Sequence, residues 1–158
     1  MKKLLLLISV LMLANLTFAQ KSNSHNEDFL KEKLFIEITN ENNKTFELTA
    51  TLVNNSSTKE LVLKLKNSSV TIDMHDFSNF EKVGYLPFLL PRNDTQFSTD
   101  AGDLILYLGK RFVIYYDKNN WNFTRLGFID QIKDKTISKQ ELKNLLGKGN
   151  CKAVLKVK

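Results

Sequence analysis

A mainly β domain of seven or eight short strands and two short helices is predicted, and three observations predict it. Apolar residues recur with period two in several separate runs, the signature of strands with one buried face. Two capping-box sequences, Ser57-Thr-Lys-Glu60 and Ser138-Lys-Gln-Glu141, each introduce a brief helical spacing. Between the runs, Gly, Pro and clustered Asn break the path repeatedly. An eight-stranded closed barrel with a helix over each end fits this count, because closure removes exposed edges. A β-sandwich with the helices packed outside fits it too, and periodicity does not choose between them.

The elements follow in order. Leu34, Ile36 and Ile38 alternate with Phe35, Glu37 and Thr39, and Phe46, Leu48, Ala50 and Leu52 alternate with polar residues. The intervening Asn40-Glu-Asn-Asn43 tolerates positive φ, so the two runs read as an opening hairpin. Leu61, Val62 and Leu65 follow Ser57 on one helical face, and the helix is expected to run to Lys66. Val70, Ile72 and Met74 return the chain to strand. Pro87 and Pro91 make 86–99 a long surface loop. The runs 104–108 and 111–116 are apolar on both faces and flank Gly109-Lys110, which suits a two-residue hairpin turn. Ser138 starts the second helix, with Leu142, Leu145 and Leu146 as its buried stripe and Gly147 as its stop. Ala153, Leu155 and Val157 alternate with lysines in a closing strand.

The first residues give a destination. Lys2 and Lys3 precede an unbroken apolar run over 4–14, and Thr17 and Ala19 stand at the −3 and −1 positions of a cleavage site. Residues 1–19 therefore read as a secretory signal peptide with cleavage before Gln20, and the apolar run is shorter than the roughly 20 residues of a spanning helix. Segment 20–32 is polar and reads as a disordered leader, followed by a single domain over 33–158. Export, to the periplasm or the medium, is the expectation, with no integral membrane segment after cleavage.

Charge and cysteine narrow the field. The full chain carries a formal net charge of +6, and loss of Lys2 and Lys3 lowers it by two. Eight lysines lie between 131 and 158 against Asp134 and Glu141. No Arg cluster or aromatic interleaving accompanies them, so they read as solvent faces and no nucleic-acid partner is expected. Cys151 stands alone, which leaves no internal disulfide, and reads as a small buried hydrophobe.

Three blocks carry a family resemblance: Phe80-Glu-Lys-Val-Gly-Tyr-Leu-Pro87, Asp100-Ala-Gly-Asp-Leu-Ile-Leu-Tyr107 and Thr124-Arg-Leu-Gly-Phe-Ile-Asp130. In this order and spacing they resemble the bacterial cyclophilin-like domain family. The resemblance implies a closed, roughly eight-stranded barrel capped by two short helices, and so decides against the sandwich. It implies fold roles for Gly84, Gly102 and Gly127 at bends and close approaches. It does not carry a reaction. The Phe-His-Arg run and the Gln-Gly-Gly segment on which the prolyl isomerase activity of true cyclophilins rests do not occur in this chain.

Other chemistry is sparse. Asp73 and His75 share a strand face near Asp76 and Glu81, and read as a polar strip rather than a metal site. No phosphate-loop or nucleophile-elbow pattern is present, and no cofactor is expected. The clue to binding is aromatic: seven of the 16 aromatic residues lie between Tyr107 and Phe128. Phe112, Tyr116 and Phe128 read as core by alternation. Tyr115 and Trp121 are expected to line a groove where 86–99, the 107–116 hairpin and the 117–122 loop converge, with Arg92 and Asp94 orienting a polar group. The functional expectation is a monomeric, non-catalytic module for an unknown peptide or small ligand. The alternative is a divergent prolyl isomerase or another enzyme on the same barrel.

Overall fold

A computed structural model describes residues 32–158; the expected signal peptide and all but the last residue of the expected leader lie outside the described residues. The chain runs β1 (Lys33–Thr39), β2 (Thr45–Leu52), α1 (Ser56–Asn67), β3 (Val70–Phe77), β4 (Glu81–Tyr85) and β5 (Thr95–Thr99). It continues through β6 (Asp103–Tyr107), β7 (Arg111–Tyr115), β8 (Asn119–Ile129), α2 (Asp130–Lys133), α3 (Lys139–Leu146) and β9 (Cys151–Val157). The strands form one nine-stranded sheet in the order β2-β1-β9-β3-β4-β7-β6-β8-β5, every pairing antiparallel. A further pairing of β2 with β8 joins the two flanks, so hydrogen bonds pass round a ring from which only β5 stands aside. The expectation of about eight strands is met by that ring, with β5 as an addition.

The alternating runs do what their period requires. Leu34, Ile36 and Ile38 of β1, Leu48, Ala50 and Leu52 of β2, and Val70, Ile72 and Met74 of β3 are all buried inside the ring. Ala153 and Leu155 of β9, between β1 and β3, join them, and from the other flank come Leu104, Leu106, Phe112 and Ile114. α1 joins the end of β2 to the start of β3, and packs on β8 and β9 at that end of the ring. α3 leads into the start of β9, at the opposite end, where it buries Leu142 and Leu146. Its cap is the expected one: Ser138 accepts from the Glu141 amide, and the Glu141 side chain accepts from the Ser138 amide at 2.7 Å.

Several local expectations are corrected. α1 is capped by Asn55, which accepts from the Thr58 amide at 2.9 Å, while Thr58 completes the capping box. Ser57 lies inside the first turn and donates to the Pro91 carbonyl, tying the helix to the 86–94 loop. The β6–β7 turn has three residues, 108–110, and not the expected two, because Tyr107 pairs with Arg111, and Leu108 and Gly109 take positive φ within it. The loop expected over 86–99 is shorter, since Thr95–Thr99 forms β5 on β8. Trp121 therefore stands on a strand opposite Phe97 and not on a loop. Phe128 is half-buried on the outer face beside Gly102 and Ile132, whereas Phe112 and Tyr116 are buried as expected.

Two close contacts depend on residue type. At the ring joint, a Cβ on Gly127 would lie 2.4 Å from the Thr51 carbonyl oxygen, so only glycine lets β8 meet β2. Lys82 is the second. Its side chain is fully buried, and its Nζ donates to the Gly149 carbonyl at 2.6 Å and faces Asp76 Oδ1 at 3.4 Å. Asp76 also accepts from the Tyr116 hydroxyl. A buried ammonium needs such acceptors, and here they tie the β3–β4 hairpin to the segment entering β9.

Gly127→Ala is expected to cost about 3 kcal/mol in denaturant unfolding, because backbone must move to admit the methyl group. An unchanged urea midpoint would show that β2 and β8 are not held at this separation.

Candidate functional site

The residues of β4 that alternate with Lys82 and Gly84 point away from the ring interior, and so do their partners across the sheet. Glu81, Val83 and Tyr85 lie opposite Tyr115, Val113 and Arg111 in register. With Tyr107 of β6, Asn119, Trp121 and Phe123 of β8, and His75 and Phe77 of β3, they line an outer cleft of about 430 Å³. That volume lies within the range of small-ligand pockets. Its floor is a second apolar cluster of Val83, Ile105, Val113, Tyr115 and Phe123, against which Phe80, Phe97 and Tyr107 pack. The doubly apolar runs of β6 and β7 are thus explained: one face fills the ring and the other makes this floor.

The rim is aromatic and open. Trp121 is 60% exposed, and Tyr85 and Phe77 are about half exposed (52% and 51%). Phe80 stacks on Tyr115, ring centroids 6.1 Å apart, and Phe77 meets Phe80 edge-on at 5.9 Å. Flat side chains of this kind offer contact area at small entropic cost.

Two charged groups lie in this surface. Glu81 is only 8% exposed, and the Tyr115 hydroxyl hydrogen-bonds its carboxyl. Tyr115 in turn accepts from Asn119 Nδ2 at 3.1 Å. Glu81 Oε2 is buried with no hydrogen-bond partner. Burial raises the Glu81 carboxyl above the usual carboxylate range, against the opposing pull of Tyr115 and Arg111. Burial, and then the neighbouring Glu81, push the Tyr115 hydroxyl upward as well, so tyrosine keeps its proton. Arg111 stands at the other end of the ladder. Its guanidinium lies 5.4 Å from the centre of the Tyr85 ring and 5.5 Å from that of Tyr107, and its Nε donates to the Tyr85 hydroxyl at 3.1 Å.

The expected site residues separate into two groups. Tyr115 and Trp121 both line the cleft, Tyr115 as part of the buried floor and Trp121 at the rim. Arg92 and Asp94 are not brought to it. They pair with each other, and Asp94 accepts from the Thr124 hydroxyl at 2.6 Å, so they fasten the 86–94 loop to β8. Sequence reasoning named Glu81 only as a neighbour of the Asp73/His75 polar strip and did not single out Arg111. The available signal was a charged residue at each end of an outward face otherwise made of Val and Tyr. His75 reaches the cleft edge, and among the described residues no three His, Cys, Asp or Glu side chains group as metal ligands. Cys151 is buried, which pushes its thiol up to about 11 and leaves it protonated at neutral pH.

The sequence signature of the Cyclophilin-like family matches residues 40–155, most of the described domain, and the chain belongs to that family. No curated protein matches the chain closely enough to count as a relative.

The raised Glu81 carboxyl has a consequence for stability. Between the ordinary glutamate value near ~4.3 and the raised folded value, the folded protein holds a proton that the unfolded chain releases. Stability therefore falls as pH rises through that window. Glu81→Gln is expected to flatten this fall in urea titrations above the ordinary glutamate value, leaving the share due to Asp103, also raised by burial. An identical pH slope in the variant would refute the assignment.

Proposed function

We propose that the protein is an exported binding module, a closed barrel whose outer aromatic cleft seats an extended peptide or a small ligand. One observation carries the reading: the cleft joins an apolar floor and an exposed Trp121 to a buried carboxyl with an unused oxygen. Buried polar groups are nearly always partnered, and those that are not mark places where something else supplies the partner. Family membership supports the fold but supplies no ligand, since one fold hosts many functions. The absent Phe-His-Arg and Gln-Gly-Gly segments argue against prolyl isomerisation of the cyclophilin type.

A second reading has an observation of its own. A carboxyl raised by burial beside a tyrosine is also how proteins prepare a general acid or base. On this reading the same cleft turns over its occupant, and Glu81 moves the proton.

Titrating the secreted form with a library of peptides and aromatic metabolites, read by Trp121 fluorescence and chemical-shift mapping, separates the readings. The expected result is saturable binding that shifts Val83, Val113 and Trp121 and returns the ligand chemically unchanged. A ligand recovered as product would favour the enzyme, and shifts confined to other surfaces would reject the cleft.

Export rests on Lys2, Lys3, the apolar run over 4–14 and the Thr17/Ala19 pair. Terminal sequencing of material from periplasm or culture medium should begin at Gln20. Recovery of a chain still carrying residues 1–19 would reject this.

A further inference from the structure

Arg111 is a held cation with unused donors. Its guanidinium is placed by two tyrosine rings and by one hydrogen bond through Nε, which leaves both Nη groups without an acceptor among the described residues. A planar fork fixed in this way matches a carboxylate. The cleft lining holds no lysine and no second arginine, and it already contains Glu81. The one cation can seat one carboxylate, and a phosphate-rich ligand finds no second cation beside it.

The other end of the cleft asks for the opposite partner. Glu81 Oε2 is a buried acceptor without a donor. Glu81 and Arg111 occupy the two ends of the β4–β7 ladder, four residues apart along the strands and so on the order of 13 Å apart at the backbone. Val83 and Val113 make the apolar floor between them. An extended tripeptide spans roughly 10 Å, and the two side chains cover the remainder.

Resting on the cleft reading above, we infer that its occupant is a short peptide ending in a free carboxylate. The terminal anion seats on the Arg111 fork, an apolar side chain lies over Val83 and Val113, and a backbone N–H is accepted by Glu81. A fatty acid would satisfy Arg111 and leave Glu81 without a partner. An internal peptide segment would satisfy Glu81 and leave the guanidinium fork empty.

The probes are N-acetyl-Ala-Phe-Ala with a free C-terminus, its C-terminal amide, and the free acid N-methylated at its first amide. Binding to the wild-type protein is measured by calorimetry and chemical shifts. The free acid is expected to bind in the cleft at least about tenfold more tightly than the amide, the scale of one charge-assisted pairing. Arg111→Gln should remove that preference, acid and amide then binding equally, and an unchanged urea midpoint and dispersed chemical shifts show that the variant is folded. N-methylation should weaken binding to the wild type and not to Glu81→Met. Equal affinity of acid and amide within the cleft would overturn the carboxylate assignment and leave the cleft reading standing. Binding of aromatic metabolites but of none of these peptides would overturn the peptide assignment alone. No cleft binding by any probe or library member would overturn both.

Discussion

The β2–β8 joint governs the rest of the molecule. A sheet of this many strands twists, and its flanks meet only if the last strand can approach the first at backbone distance. Here the meeting is short, Ala50 to Leu52 against Gly127 to Ile129, and it relies on Gly127 lying where any Cβ would strike the Thr51 carbonyl. Once the flanks are joined, inside and outside are fixed for every strand, because a slip of one residue would exchange the two faces throughout the ring. The interior then takes the aliphatic residues of the regular runs. α1 and α3 cover the two ends.

That fixed register has an outward consequence. β4, β6, β7 and β8 each have apolar residues to spare on the face turned away from the ring, and such residues gain by leaving water. The chain covers part of this surface itself: β5 pairs on β8 and brings Phe97 edge-on to Phe123, 5.8 Å between centroids. The cover stops there. Between the β3–β4 turn and the start of β8 the aromatic surface stays open, and that opening is the cleft. The site is therefore what a second, incomplete core leaves uncovered.

Alternation made the ring legible in the sequence. The β1–β2 hairpin, β3, β9 and the Ser138 cap follow from period and capping chemistry alone, since these elements bury one face and cap their own amides. β5 was not legible, because Thr95-Gln-Phe-Ser-Thr99 has one apolar residue and owes its strand to β8. The start of α1 was misplaced for a similar reason. Asn55 and Ser57 are both capable caps, and Ser57 is diverted by Pro91, a residue far away in sequence. Of the cleft, Tyr115 and Trp121 were legible as aromatic residues in excess of core needs. Arg92 and Asp94 drew attention by charge, but in the fold their charges answer each other. Glu81 and Arg111 look ordinary in the sequence. Their meaning comes from the pairing of β4 with β7, which sets them at the two ends of one apolar strip.

Glu81 and Lys82 are neighbours in the chain and point to opposite faces of one strand, and both are buried. The contrast between them bears on function. Lys82, on the inner face, is met by the Gly149 carbonyl and Asp76, and Asp76 by Tyr116. The fold thus satisfies a buried charge at this very point in the sheet. Glu81 is met by Tyr115 alone, and its second oxygen goes without. An unmet buried acceptor costs about 1–3 kcal/mol, a sizeable part of the stability of a small domain. A glutamine or methionine would fill the same space at less electrostatic cost. On the binding reading proposed above, the carboxyl is explained by the cleft it lines and not by the sheet that carries it, because an occupant of the cleft can bring the donor that the fold omits.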